Sequence, residues 1–275
     1  KTTVALLVVT IGVGAFISLY EIKRPSTEER KRFSLKLLDI SPESVTHIDI
    51  QTSSASVSLS RDGTRWRLGP ARARANEELI TQLLNDTDLL RAQRLLSSSP
   101  EKPLDLNTLG LDPPVAQVTL TADGAATTLL LGEATPVGSN RYAQIAGRPE
   151  VAIIASALFE TLNRPAEMFR DPMLLRFDTW MTDAVTVNTP TRTMTMARAG
   201  MDWRLTQPVN DRADRAAVMN FLSQVAGLRI ARVLEDAPQA EQAPAWGFDA
   251  PSAAVALTLR ADPPSPLTVF FGKPL

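Results

Sequence analysis

Cysteine is absent from this chain of 275 residues, and histidine occurs once, at His47. The first absence excludes disulfides, thiolate nucleophiles and thiolate metal sites, and it suits either the cytosol or an envelope protein that avoids oxidative pairing. The second leaves acid–base and metal chemistry to carboxylates. Charge of one sign is also lacking: Lys and Arg number 29 against 30 Asp and Glu. That balance argues against a nucleic-acid partner and against an acidic, disordered tail. Aromatic residues make up only 5% of the chain. No G-x-G-x-x-G or Walker-type loop follows a strand pattern, because Gly12-Val13-Gly14 belongs to an apolar run. His47 lies on an alternating strand pattern without a nucleophile elbow, so a serine-hydrolase constellation is missing as well. No cofactor is implied.

One long hydrophobic run is present. Thr2 to Tyr20 carries no charge, and its 19 residues at about 1.5 Å each span roughly 28 Å, close to the hydrocarbon thickness of a bilayer. It is longer than the apolar region of a signal peptide and no A-x-A site closes it, so residues 1–22 are expected to be an uncleaved transmembrane anchor in the lipid bilayer. Thr10, Gly14 and Ser18 repeat at every fourth position, a stripe that lets a second membrane helix approach closely. Residues 23–43 are polar and charged, with Pro25 and Pro42, and read as a juxtamembrane linker. Within them Phe33, Leu35, Leu37, Leu38 and Ile40 alternate as a docking strand would.

The remainder says the same thing twice. Trp66-Arg67-Leu68, a helical run, Arg91 to Leu96 and Gly110-Leu111-Asp112-Pro113-Pro114 recur as Trp203-Arg204-Leu205, a helical run, Arg229 to Leu234 and Gly247-Phe248-Asp249-Ala250-Pro251. The offset, about 137 to 138 positions, is too long for a solenoid unit and marks a duplicated domain. In the first copy, residues 44–177, His47–Ile50 and Ser56–Leu59 alternate as half-buried strands, and Asp62-Gly63 turns the chain into Arg65–Leu68. Asn76 offers a helix N-cap before Glu77 and Glu78, and Ile80, Leu83, Leu84, Thr87 and Leu90 share one helical face. That face maps onto Val218, Phe221, Leu222, Val225 and Leu228 in the second copy, residues 178–275. Gln117–Thr121 and Thr127–Leu131 form a second hairpin, Arg141–Ile145 and Val151–Ala155 two further strands, and Ser156 is expected to cap a short helix. The second copy lacks the strands that follow Gly132 in the first, which reads as an incomplete unit continuing beyond Leu275. The expected fold is α+β: a transmembrane helix, then two duplicated, mostly antiparallel twisted sheets with helices packed on one side.

The repeated residues have structural readings. Asp112 and Asp249 could be paired as glycosidase carboxylates, but aspartate in a Gly-x-Asp turn bonds local amides. Trp66 and Trp203 could stack on a sugar, yet at repeated strand positions they suit the two cores. Arg91, Arg94, Arg229 and Arg232 flank the helix C-termini, where cations complement the dipole.

The order of these motifs, with Gly132, Tyr142, the Arg170-Asp171-Pro172-Met173-Leu174-Leu175-Arg176-Phe177 joint and Gly272, resembles a bacterial family of single-pass envelope proteins that carry a domain of unknown function. Its members are often encoded beside gliding-type ABC transporter subunits. The resemblance covers residues 2–275; Pro113 and Ala250 are variants within the turns. It implies an inner-membrane anchor, duplicated domains in the periplasm, and association with an ABC-type permease and ATPase and a companion envelope subunit. It implies no catalytic residue. The flanking charges, led by Lys23, Arg24, Arg30, Lys31 and Arg32, would instead hold the bulk of the chain in the cytoplasm, but few charges orient long domains only weakly. The expected function is therefore that of a non-enzymatic, membrane-anchored accessory or scaffold subunit. The alternative is a module binding an envelope glycan or cargo in a cleft between the duplicated sheets.

Overall fold

The computed structural model describes residues 36–53, 55–96, 103–236, 242–260 and 265–274. The expected anchor, with Thr10, Gly14 and Ser18, lies outside the described residues. Among the described residues no helix is long and apolar enough to cross a membrane. The chain divides into two compact units between Arg170 and Asp171, inside the stretch read as the joint.

Alternation builds the first unit from a run of hairpins. Strands β1 (Val45–Thr52), β2 (Ser56–Asp62), β3 (Arg65–Leu68) and β4 (Ala73–Arg74) precede helix α1 (Glu77–Asp88). Strands β5 (Arg94–Leu96), β6 (Ala116–Ala122), β7 (Ala125–Ala134), β8 (Asn140–Ile145) and β9 (Val151–Ala155) and helix α2 (Ala157–Leu162) follow. The described strands make one nine-stranded sheet in the order β4-β3-β2-β1-β6-β7-β8-β9-β5, antiparallel at each pairing. Val45, Ile48 and Ile50 of β1 and Val118 and Leu120 of β6 point into a core that also takes Leu79, Ile80, Leu83 and Leu84 of α1. Each such side chain contributes about 1.5–3 kcal/mol on leaving water. Asn76 caps α1 by accepting a hydrogen bond from Leu79 N.

Three local expectations are revised. Arg94 does not flank a helix end; it pairs with Ile153 on edge strand β5, because α1 stops at Asp88 and the chain extends to reach β9. Arg91 does serve the helix end, donating to the Asp88 and Leu90 carbonyls. Ser156 makes no side-chain cap, since it is itself in the helical region and offers only its carbonyl, to Glu160 N. Of the residues read as linker, Lys36 forms a bridge with Arg91 and Leu38 is buried in the first core, as the docking-strand pattern implies.

The second unit repeats the framework. Strands β10 (Thr182–Thr189), β11 (Arg192–Ala199), β12 (Asp202–Gln207) and β13 (Asp211–Ala213) lead to helix α3 (Arg215–Ala226), then to β14 (Ala253–Leu259) and β15 (Ser265–Phe271). The described order, β13-β12-β11-β10-β14-β15, is that of β4-β3-β2-β1-β6-β7. Even an irregularity recurs: the register shifts between Val45 and His47 and, at the matching place, between Thr182 and Ala184. Val218, Leu222 and Val225 of α3 are buried with Trp203, while Phe221 and Leu228 are only partly covered. Residues 171–177 belong to this unit. Asp171, buried, accepts hydrogen bonds from Met173 N and from the Arg176 guanidinium, Leu174 N donates to Leu228 O, and Leu175 enters the core.

Candidate functional site

The duplicated motifs prove to be the joints of each unit. Trp66 is buried in the first core and Trp203 in the second, each under a guanidinium: Arg61 lies 5.9 Å from the Trp66 ring centroid and Arg198 4.9 Å from that of Trp203. Such stacking holds the ring against the face of the guanidinium. Arg61 donates to the Val45 carbonyl and Arg198 to the equivalent Thr182 carbonyl.

The Gly-x-Asp turns lock onto a strand by close backbone approach. Gly110 has φ +67 and Gly247 φ +76, values that exclude most side chains. The residue before each accepts a hydrogen bond from the sheet: Glu133 N donates to Leu109 O at 2.9 Å, and Lys273 N to Trp246 O at 3.0 Å. Asp112 and Asp249 are both exposed. The first turn is closed by Val115 N donating to Gly110 O, and by the Asn107 amide donating to the Asp112 carbonyl. Pro114 and Pro251 are half-buried. His47 is exposed on β1, beside Thr46. Asp112 belongs to the first unit and Asp249 to the second.

The feature that the duplication does not explain is a groove of about 780 Å³ in the second unit, at the N-terminus of α3. Three local structures build it. The turn Thr179–Met181, whose first amides are capped by the Asp178 carboxylate accepting from Trp180 N, pushes the Trp180 indole outward, 59% exposed. Asp214 caps α3 by accepting from Ala216 N and Ala217 N, so the helix amides are already engaged. Met219, one turn further on, supplies an apolar wall. The rim is charged but balanced: the Arg215 guanidinium lies 5.9 Å from the Trp180 centroid, and Arg212 stands 3.9 Å from Asp202. Such a surface, a large indole within a ring of both charge signs, can hold an apolar anchor and hydrogen-bond what flanks it.

Among the described residues no group of His, Asp and Glu could hold a metal ion. The carboxyls that depart from ordinary behaviour are structural. Asp183 is held below the usual range by its hydrogen bonds from Arg260, Asp62 by those from Arg72 and Arg67, and Asp105 by its bond from the Thr108 hydroxyl. None of the three lines the groove.

Comparison with known families now bears on identity. A family model described as a domain of unknown function (DUF4340) matches residues 69–251. The chain belongs to this family. The match runs from the end of β3 to the start of β14, so the family region spans parts of both units rather than one repeat. Neither the curated proteins nor the solved structures contain a match to the chain.

Trp180, Arg212, Arg215 and Met219 were not reached from the sequence. A signal existed: at the position of Trp180 the first copy has Glu43, a reversal that the duplicated framework does not require.

Proposed function

We propose that this member of the family is the extracytoplasmic, partner-contacting arm of a membrane-anchored assembly, an accessory or scaffold subunit that performs no chemistry of its own. The observation that carries this reading is the Trp180 indole, 59% exposed at the rim of the groove, at the position where the first copy has Glu43. The first unit, built on the same framework, keeps Trp66, Phe159 and Phe169 inside. Two copies that share a core but differ in what they show to solvent have been given different tasks, and exposed aromatics are the residues that anchor protein contacts.

The apolar Thr2–Tyr20 run supplies the anchor in this reading, and its Thr10, Gly14 and Ser18 stripe the surface that packs against a partner helix. An inner-membrane, single-pass placement with the two units in the periplasm follows from the resemblance to envelope proteins, which also names the partner class, an ABC-type permease and ATPase. Purification of the chain from native membranes in mild detergent, with mass spectrometry of what is retained, tests the proposal. Stoichiometric permease and ATPase is the expected result. The chain recovered alone, folded and monodisperse, would overturn it and turn attention to an envelope glycan as ligand.

A further inference from the structure

The outer face of the first sheet, turned away from α1, carries cations that the repeated framework does not require. Alternation puts Val57 and Leu59 of β2 and Trp66 of β3 on the core side, so Ser58, Ser60, Asp62, Arg65 and Arg67 face outward. The register then lines up Thr121, His47, Ser60, Arg67 and Arg74 as one row across β6, β1, β2, β3 and β4. At about 4.8 Å per strand the row is roughly 19 Å long. Arg67 and Arg74 stand directly opposite each other, and like charges so placed destabilise a sheet. From Ser56 to Arg74 the chain has five arginines and one acidic residue, Asp62. Arg61 is spent on the core side, over Trp66. Asp62 accepts from Arg67 Nε at 3.3 Å and from Arg72 Nη2 at 2.9 Å, and Arg65 is its cross-strand neighbour. One carboxylate thus stands among four outward guanidiniums. On β1 the outward Asp49, which accepts from the Ser58 hydroxyl, adds a second negative charge and leaves the face cationic.

The second copy shows that this face is not a by-product of the fold. Its matching row reads Thr258, Ala184, Ala197, Arg204 and Arg212, so alanines replace His47 and Ser60. Asp202 takes the place of Arg65 and lies 3.9 Å from Arg212. Both units keep the opposed pair of arginines. Only the first surrounds it with further cations and hydrogen-bonding side chains.

We infer that the outer face of β2, β3 and β4 in the first unit rests on anionic lipid headgroups, whose phosphates are met by the guanidiniums of Arg65, Arg67, Arg72 and Arg74. Shape and position select the bilayer among anionic partners. A pleated sheet face is broad and open, and it matches a plane of headgroups, each able to take a guanidinium fork in bidentate fashion. The basic copy is also the one that follows the apolar Thr2–Tyr20 run. Residues 23–43 join the two, and their Lys23, Arg24, Arg30, Lys31 and Arg32 add to the same attraction. This inference rests on the proposal that the run is a membrane anchor, and it names the surface that the first unit turns to the membrane.

The test uses the full chain reconstituted in nanodiscs, and the absence of cysteine allows a single fluorescent label. One label goes at Thr64→Cys, in the exposed turn beside the face, and a control at Gln82→Cys, on the exposed side of α1 across the sheet. Lipids with a nitroxide on the headgroup quench whichever label lies against the membrane. In discs holding about 30% phosphatidylglycerol, quenching at Thr64→Cys should exceed that at Gln82→Cys about threefold. It should fall to the level of pure phosphatidylcholine discs at about 0.5 M salt, where screening is strong. The double variant Arg65→Glu, Arg72→Glu, at two exposed positions, should remove the excess with the fold intact by circular dichroism. Arg65→Glu alone serves as the second variant should the pair fail to fold. Equal quenching of the two labels, or quenching indifferent to phosphatidylglycerol, would overturn the inference. So would unchanged quenching of the double variant together with loss of the permease and ATPase, which would assign the face to an acidic protein surface. A chain that does not enter the discs would remove the anchor itself, a failure distinct from equal quenching in a disc-bound chain.

Discussion

Adding one methyl group at Gly132 should do more damage than its size suggests. A Cβ built there meets the Leu109 carbonyl oxygen at a separation no real Cβ adopts, and the Leu111 Cγ at 3.1 Å. The obstacle is backbone, so the turn must move as a body. Moving it breaks the Glu133 N to Leu109 O hydrogen bond, a loss of about 1 kcal/mol, and strains the packing of buried Leu111, a cost of about 1–3 kcal/mol. Gly132→Ala is therefore expected to destabilise the protein by about 3 kcal/mol, a fall in Tm on the order of 10 °C for a unit of this size. Gly272→Ala should behave alike, because its Cβ meets the Trp246 carbonyl oxygen and the ring of Phe248 at 3.2 Å. Gly63→Ala is the control. It has nothing within 4 Å, and its φ of +60 costs only about 1 kcal/mol of backbone strain. Urea denaturation followed by circular dichroism measures all three. If Gly132→Ala costs no more than Gly63→Ala, the turn is not locked to the strand and the reasoning fails.

Other consequences are open to the same assay. Trp203→Ala removes a fully buried ring and should cost about 3–5 kcal/mol, with Trp66→Ala comparable in the first unit. Asp214→Ala leaves Ala216 N and Ala217 N without their acceptor and should cost about 1 kcal/mol, a cap's usual contribution. Asp183 gains its stabilisation from Arg260, whose hydrogen bonds hold its pKa below the usual 3.8. That contribution is present above pH 3.8 and is lost as pH falls through the lower folded value, so the stability gap between wild type and Asp183→Asn should be constant at neutral pH and close on acidification. The gap should be small, because the pair is exposed.

Much of the fold was legible because its signals are local. The period-two alternation of His47–Ile50 and Ser56–Leu59 and the helical stripe from Ile80 to Leu90 each state which face is buried, and the second copy restates both. Trp66 and Trp203 announced themselves as core by recurring at strand positions. The elements that escaped are short and owe their form to distant partners. β4, β5 and β13 have two or three residues each, too few to carry a period, and exist because β3, β9 and β12 offer an edge. Arg94 was misplaced for this reason. The groove was hidden for a deeper one. It is assembled from the turn before β10, from β12 and β13, and from the start of α3, and is marked by the replacement of Glu43 by Trp180 in the second copy. None of these is a motif.

The central claim is that the exposed Trp180 of the second unit anchors the contact with a membrane complex. The direct measurement is quantitative co-purification from native membranes of wild type and a Trp180→Ser variant, with folding verified by circular dichroism. The side chain is more than half exposed, at 59%, so the fold should survive its loss. Recovery of the permease and ATPase with the variant should fall at least tenfold. Undiminished recovery with a folded variant would contradict the claim and place the contact elsewhere on the chain.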